Sequence, residues 1–531
     1  MSRSAAANRH EEPSKKAPVL LQAYEWNTPG GGNHWKWLRD NAERFADMGI
    51  TACWLPPATK GAGQESTGYD MYDLWDMGEF KRTPEAEERT KYGTREELEE
   101  CMAALKKNGI VVMLDGVYNH KDGAEEAETF KAIMVDQEDR NKDIGEPRDI
   151  EGWTKFTFPG RKGKYSEFQW NFNHFTGVDF DQKTGTNAIF RILGEGKTWA
   201  PDTDSEKGSF DYLMASDIDH AHPDVREEFF RYAKWLVRTF PITGMRFDAV
   251  KHMSRDFLAE FVKVMRDEHR LLRKEQGKPD VDESEGPLFF CVGELWKDDV
   301  KTCTDYINKF AFEQQFSLFD CPLHYNFAEA GNAGKDYDLR KIWDGTLVQA
   351  QPIDAVTLVE NHDTQAGQSL ASPVAASFKP LAYAMILLRE AGYPCVFLGD
   401  LDGCHAENDE QPSVPPMSSL DKFIRARKLW GFGDTRDYWD HPQAVGWVRT
   451  GEGQGEERLE GCAVVMCIGE AEGKKRMEVG KEHAGKKYID VLGWHQGEIE
   501  IGEDGWAEFV CHPSSVSIYA WSEARGIDEF K

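Results

Sequence analysis

Three short strings of this chain carry acids where they could do chemistry: Gly244-Met245-Arg246-Phe247-Asp248, Val292-Gly293-Glu294 and Val359-Glu360-Asn361-His362-Asp363. Each follows an apolar run and delivers a carboxyl group where a buried strand would give way to a loop. Enzymes built on parallel barrels hold their reacting groups at such strand ends. Carboxyl groups converging on one pocket are equipped to break an acetal, because the departing oxygen needs a proton while the carbon left behind needs electron density. The predicted chemistry is glycoside cleavage.

For these acids to meet, strands far apart in sequence must lie side by side. Short apolar runs recur at residues 19–24, 50–55, 110–114, 243–247, 289–293, 316–319, 356–359 and 395–398. Eight is the number a closed parallel barrel needs, and continuous rather than alternating apolarity is what strands buried on both faces show. The spacing predicts helices between them over 35–48, 223–239, 254–276, 378–392 and 419–430. A further helix starts at Thr94-Arg95-Glu96-Glu97, a capping-box pattern, and stops at Asn108-Gly109. The expected fold is α/β: a (β/α)8 TIM barrel over 18–118 and 223–432, preceded by a flexible tail over 1–17. Between the third and fourth strands, residues 119–222 are too long for a loop and read as an inserted domain. From 433 to 531 short alternating runs broken by Gly-rich turns predict an antiparallel β-sandwich.

The net charge of −29, with a pI near 5.0, repels phosphate backbones and anionic lipid. It argues against nucleic acid or membrane partners and leaves a neutral polymer. The longest apolar stretch, 381–388, is far too short to cross a bilayer. Residues 1–16 lack the apolar core of a secretion signal, so the expected location is the cytoplasm. Ten scattered cysteines show neither metal-ribbon nor redox spacing, which fits packed thiols in a reducing compartment.

Read in order, Asp115-Gly-Val-Tyr-Asn119-His120, Gly244-Met-Arg-Phe-Asp-Ala-Val-Lys-His252, Gly293-Glu-Leu-Trp296 and Val359-Glu-Asn-His-Asp-Thr364 resemble the four signature regions of the α-amylase family of retaining glycosidases. Gln22-Ala-Tyr-Glu-Trp26, Gly68-Tyr-Asp-Met-Tyr-Asp73 and Asp217-Ile-Asp219 extend the likeness over nearly the whole chain, toward liquefying bacterial and intracellular fungal members.

The resemblance implies Asp248 as nucleophile, Glu294 as general acid and then base, and Asp363 as the acid that grips sugar hydroxyls. Arg246, two residues before Asp248 on the same strand, is expected among the substrate-binding residues and as the charge that keeps Asp248 ionised. Val292 and Trp296 should limit the hydration of Glu294 and raise its pKa. His120 and His362 would bond the sugar and Tyr69 would stack on it, while Trp26, Trp296, Lys251 and His252 would line neighbouring subsites. Asp115 is expected to anchor Arg246. One structural Ca2+ is implied, held by Asn119, Asp211, Asp217 and the main-chain carbonyl of His252. Thr176, Ala200, Ala221, Pro442 and Gln443 stand where liquefying enzymes hold further ions, so those extra sites are expected to be absent.

The expected activity is endo-acting, retaining hydrolysis of internal α-1,4-glucosidic bonds in starch, glycogen or maltooligosaccharides, by a monomer with a glucan as its only partner. Two alternatives stand beside it. A 4-α-glucanotransferase would share the covalent glycosyl-enzyme, and a non-catalytic glucan-binding protein would keep the fold alone.

Overall fold

In the computed structural model, which describes residues 17–278, 289–310, 315–406, 413–453 and 459–530, all eight apolar runs become parallel strands of one closed barrel. They are β1 (Leu20–Gln22), β2 (Ala52–Leu55), β3 (Val111–Gly116), β4 (Gly244–Phe247), β5 (Phe290–Gly293), β6 (Ser317–Phe319), β7 (Ala355–Leu358) and β8 (Tyr393–Phe397). Every strand pairs with its successor in sequence, and β8 closes onto β1. Each strand residue is buried, which is why the runs read as continuously apolar. The tail expected over 1–17 lies outside the described residues, except for Ala17, which is buried.

Register fixes what matters for chemistry. Arg246 on β4 lies opposite Asp115 on β3 and Val292 on β5, and Phe247 lies opposite Gly116 and Gly293. One residue further on, Asp248 and Glu294 therefore leave neighbouring strands at the same height. Their amides continue the ladder, Asp248 N donating to Gly116 O at 3.0 Å and Glu294 N to Phe247 O at 2.9 Å.

The surrounding helices are α1 (His34–Met48), α2 (Arg95–Lys107), α3 (Pro223–Thr239), α4 (Arg255–Glu275), α5 (Val300–Lys309), α6 (Cys321–Ala333), α7 (Lys379–Leu388) and α8 (Leu420–Trp430). The α2 start is a true capping box: Thr94 accepts from the Glu97 amide while the Glu97 carboxylate takes the Thr94 amide. Two helices, α5 and α6, fall outside those expected from the sequence. Asp320 starts α6 by accepting from the Leu323 amide at 3.1 Å, and it also takes the amides of Leu347 and Val348. The helix predicted to run to 392 stops at Leu388, because Gly392 must turn at φ +81° into β8.

Between β3 and β4 a six-stranded antiparallel sheet contains His120–Lys121, Glu126–Val135, Asp143–Lys155, Phe175–Asp181, Thr186–Ile192 and Ser216–Ile218. Its strand Ser216–Ile218 pairs with His120–Lys121, which returns Asp217 to the barrel rim beside β3. The carboxy-terminal part is a second six-stranded antiparallel sheet, on which the ribbon Gly473–Glu478 and Trp506–Cys511 packs through Met477 and Phe509 against Val465 and Tyr519. Beyond Lys379, which pairs with Glu360, helix α7 is buried on every side. Leu381 to Leu388 are at most 1 % exposed. Its neighbours include strands Ala463–Cys467 and Ser515–Trp521, and Trp447 Nε1 donates to Leu388 O at 3.0 Å. No helix among the described residues is long and apolar enough to cross a membrane.

Candidate active site

Arg246 is wholly buried, and its guanidinium gathers acids from three adjacent strands. Nη1 donates to both oxygens of Asp115, at 2.9 and 3.1 Å, and to Asp248 Oδ1 at 2.8 Å, while Nη2 donates to Glu294 Oε2 at 2.6 Å. Asp115 Oδ2 also accepts from Trp54 Nε1 at 3.0 Å, Tyr24 OH at 3.0 Å and Tyr69 OH at 2.8 Å, so Asp115 is an anchor held by four side chains. Ala249, directly after Asp248, is left-handed at φ 47°, a conformation that costs a non-glycine residue energy. That bend aims the Ala249 amide at Glu294 Oε2, 3.2 Å away.

Arg246 differs from its expected place among sugar-binding residues. It has no exposed surface, and its hydrogen bonds go to three carboxyl groups instead. Nor does it hold Asp248 below the ordinary carboxylate range. Burial outweighs the attraction of a cation shared three ways and pushes Asp248 up to about 6, with Asp115 and Asp363 adding repulsion. Burial likewise lifts Glu294 to about 7, against the pull of Arg246 and with the charge of Asp248 adding to the rise. Asp363 rises to about 7, first by burial and next by the charge of Glu294, which places it in the same electrostatic group. Its carboxyl lies 3.2 Å from His362 Nε2. Glu360 of the same string turns away, accepting from the Val374 amide at 2.7 Å and from Lys379.

An aromatic surface flanks the acids. Tyr69 stacks on His362 with ring centroids 5.0 Å apart, and Trp26 is nearly parallel to both, at 5.8 and 5.9 Å. Tyr69 and Trp26 remain half-buried, whereas His120 and His362 are buried. Burial keeps both histidines neutral by pushing their pKa values down. Nδ1 of His120 has no hydrogen-bond partner, while Nε2 of His362 faces the Asp363 carboxyl. Trp296 packs under the rim and donates from Nε1 to Tyr325 OH at 2.8 Å. Lys251 lines a cavity of about 590 Å³ together with Leu295, Lys297, Asp204 and Glu206. The His252 side chain departs from the expected subsite role: Nδ1 bonds the Phe210 carbonyl at 2.6 Å and the ring packs 4.3 Å from that of Phe210, turned inward.

Sequence reasoning overlooked Gln22, Tyr24, Trp54 and Ala249. Gln22 Nε2 bonds His362 Nδ1 at 2.9 Å, and Tyr24 OH contacts Tyr69 OH at 2.6 Å. Gln22 ends β1 and Tyr24 lies two residues beyond it, where the Ala23 amide still bonds Trp54 O, so a period of two would have linked them. Nothing in the residue type signals the bend at Ala249.

At the junction of barrel and inserted sheet, Asn119, Asp211 and Asp217 are buried together. Asn119 Nδ2 donates to Asp217 Oδ1 at 3.3 Å, which leaves Asn119 Oδ1 without a partner. Burial pushes both acids up, Asp211 to about 7, with Asp219 and Asp202 adding repulsion at Asp211 and the charge of Asp211 adding to the rise at Asp217. Among the described residues no lysine, arginine or histidine nitrogen pairs with either. Two facing carboxyl groups and an orphaned amide oxygen fit a hard cation with oxygen ligands. His252 follows on the turn Val250–His252, immediately after Asp248 and Ala249. Lys197 sets a fixed ammonium beside this cluster, on Asp219 Oδ2 at 2.7 Å and Phe175 O at 3.0 Å.

Closed barrel, matched register and acids at the carboxyl ends of the strands define a (β/α)8-barrel hydrolase. Residues 34–413 match the family described as alpha amylase, catalytic domain, and residues 464–520 match that described as alpha-amylase C-terminal. The chain belongs to the α-amylase family. It is 41 % identical to an alpha-amylase of Bacillus licheniformis, with 94 % of this chain and 93 % of that protein covered. It is equally 41 % identical to the cytoplasmic alpha-amylase of Escherichia coli, over 95 % of this chain and 99 % of the relative. Among solved structures, an alpha-amylase of Geobacillus thermoleovorans complexed with acarbose superposes with a TM-score of 0.60 at 17 % identity, covering 96 % of this chain and 99 % of that one.

Proposed function

We propose that this protein cleaves internal α-1,4-glucosidic bonds of starch, glycogen and maltooligosaccharides with retention of configuration. Asp248 attacks the anomeric carbon, Glu294 protonates the departing oxygen and later takes the proton of the incoming water, and Asp363 grips hydroxyls of the distorted sugar. Tyr69 and Trp26 offer the stacking surface, and Nδ1 of His120 and Nε2 of His362, the latter beside Asp363, are the histidine atoms that would meet sugar hydroxyls. Lys251 and Trp296 would meet the leaving portion beside the cavity. The observation that carries the reading is one guanidinium holding Asp248 on Nη1 and Glu294 on Nη2. Carboxyl groups gathered that closely favour the spacing of about 5–5.5 Å used for covalent attack over the roughly 6.5–9.5 Å that leaves room for an inverting water.

The test is a time course on maltoheptaose. Internal cleavage with the α-anomer formed first is the expected result. A β-anomer formed first would refute retention, and chains longer than the substrate would establish the glucanotransferase instead.

The acids also predict a pH profile. The coupled group works with Asp248 ionised and Glu294 protonated, so kcat/KM should rise through about pH 6, fall through about pH 7 and peak between. Activity that stays flat from pH 5 to pH 9 would contradict this assignment of roles.

We infer a structural Ca2+ on Asn119 Oδ1, Asp211, Asp217 and the His252 carbonyl; when bound it would neutralise the facing acids and tie the inserted sheet to the segment carrying Asp248. Excess chelator should lower both the melting temperature and the activity, and added calcium should restore them. If neither changed, the site would be wrong. The ten cysteines are all free and buried, which together with the name of the E. coli relative supports a reducing cytoplasm.

A further inference from the structure

We propose that His174, His222 and Asp224 form a binding site for one divalent transition-metal ion of the zinc class, apart from the catalytic pocket and from the oxygen-only calcium set. Ligand atoms of the three side chains lie within 4.8 Å of one another. His174 ends the short turn Phe172–His174 of the inserted region, whereas His222 caps α3 and Asp224 lies in its first turn. A bound ion would staple the insertion to a barrel helix, five residues from Asp217.

Several features make the site ready. The two imidazole rings meet edge to face, 5.0 Å apart at 87°. His174 is buried and wedged by Phe168 at 4.9 Å and Trp170 at 5.9 Å, so its orientation is set before any ion arrives. Two imidazoles and one carboxylate suit zinc, copper or nickel and are a poor match for calcium. Asp224 is exposed, which leaves room for water to complete the coordination.

Three features limit the affinity. Nδ1 of His174 accepts the Asn171 amide at 3.1 Å, and Nδ1 of His222 accepts the Asp224 amide at 3.2 Å. Ligation through Nε2 moves each ring proton to Nδ1 and gives up those bonds, about 3- to 10-fold in affinity apiece. The start of α3 and the ammonium of Lys197 also repel a cation, which Asp224 offsets only in part. The expected dissociation constant is therefore micromolar rather than nanomolar.

The experiment titrates zinc chloride into the full-length protein in excess calcium, so that its outcome does not depend on the calcium reading. One zinc per chain should bind, with a rise in melting temperature, and His222→Ala should weaken binding at least 10-fold. Cobalt in place of zinc should give visible ligand-field bands without a thiolate charge-transfer band, since every cysteine is buried. His174→Ala should match His222→Ala; if it does not fold, the partly exposed His222 position and the cobalt spectrum still decide. Undiminished binding in His222→Ala, a thiolate band, or no saturable binding below the millimolar range would overturn the proposal.

Discussion

Glu294→Gln is expected to lower kcat on starch by about 10²–10⁴-fold with the fold intact, the range a positioned general acid contributes. The substitution keeps the shape and the Nη2 contact of Arg246 but removes the transferable proton. A substrate whose leaving group needs no proton separates the roles. With α-maltosyl fluoride, Glu294→Gln should recover much of its first step, because fluoride departs unaided. Asp248→Asn should stay inactive on both substrates, since no leaving group replaces a missing nucleophile. Equal recovery of the two variants on the fluoride would dissolve the assignment, and a Glu294→Gln protein with parental activity on starch would revive the non-catalytic alternative.

Arg246→Met should cost stability as well as activity. It leaves Asp115, Asp248 and Glu294 buried with no cation among them. Breaking one buried pair by removing a partner costs about 3–5 kcal/mol, against a typical total stability of about 5–15 kcal/mol. The acids would respond by holding protons, which raises their folded pKa values further above the unfolded ones. A carboxyl group shifted that way stabilises the fold when protonated and loses this contribution as pH rises through the folded pKa. In the parent Asp248 and Glu294 already stand at about 6 and about 7, so the variant's deficit should be smallest near pH 5 and grow toward pH 9. Melting curves across that range would show it. Adding Asp115→Asn should return part of the loss, because one buried charge is gone; a variant as stable as the parent at pH 8 would mean that the cluster is neutral for other reasons.

The barrel was legible because strands buried on both faces leave continuous apolar runs, and all eight strands fall where those runs lie. Helices with strong caps were equally clear, as at Thr94 and at Ser254, whose hydroxyl accepts from the Phe257 amide. What escaped were elements held by tertiary contacts: α6 begins because Asp320 also ties down the amides of Leu347 and Val348. In the pocket, motif residues were found together because strand register brings neighbouring positions to one level. Their charge balance was not readable. Sequence spacing puts Arg246 near Asp248 but cannot reveal that the same guanidinium also serves Asp115 and Glu294, and that sharing is why burial prevails at Asp248.

Helix α7 has a practical corollary for protein engineering. A segment this greasy on all sides can be neither a surface helix nor a membrane span, and part of its wrapping comes from residues beyond 433. The carboxy-terminal sheet is consequently no removable accessory. Shortening the gene there would strip the wrapping from Leu381 to Leu388 and deliver insoluble material, whatever the state of the catalytic groups. Chimeras exchanging that sheet between relatives will succeed only if the replacement presents the same apolar footprint and an indole positioned as Trp447 is, to meet the carbonyl at the helix end.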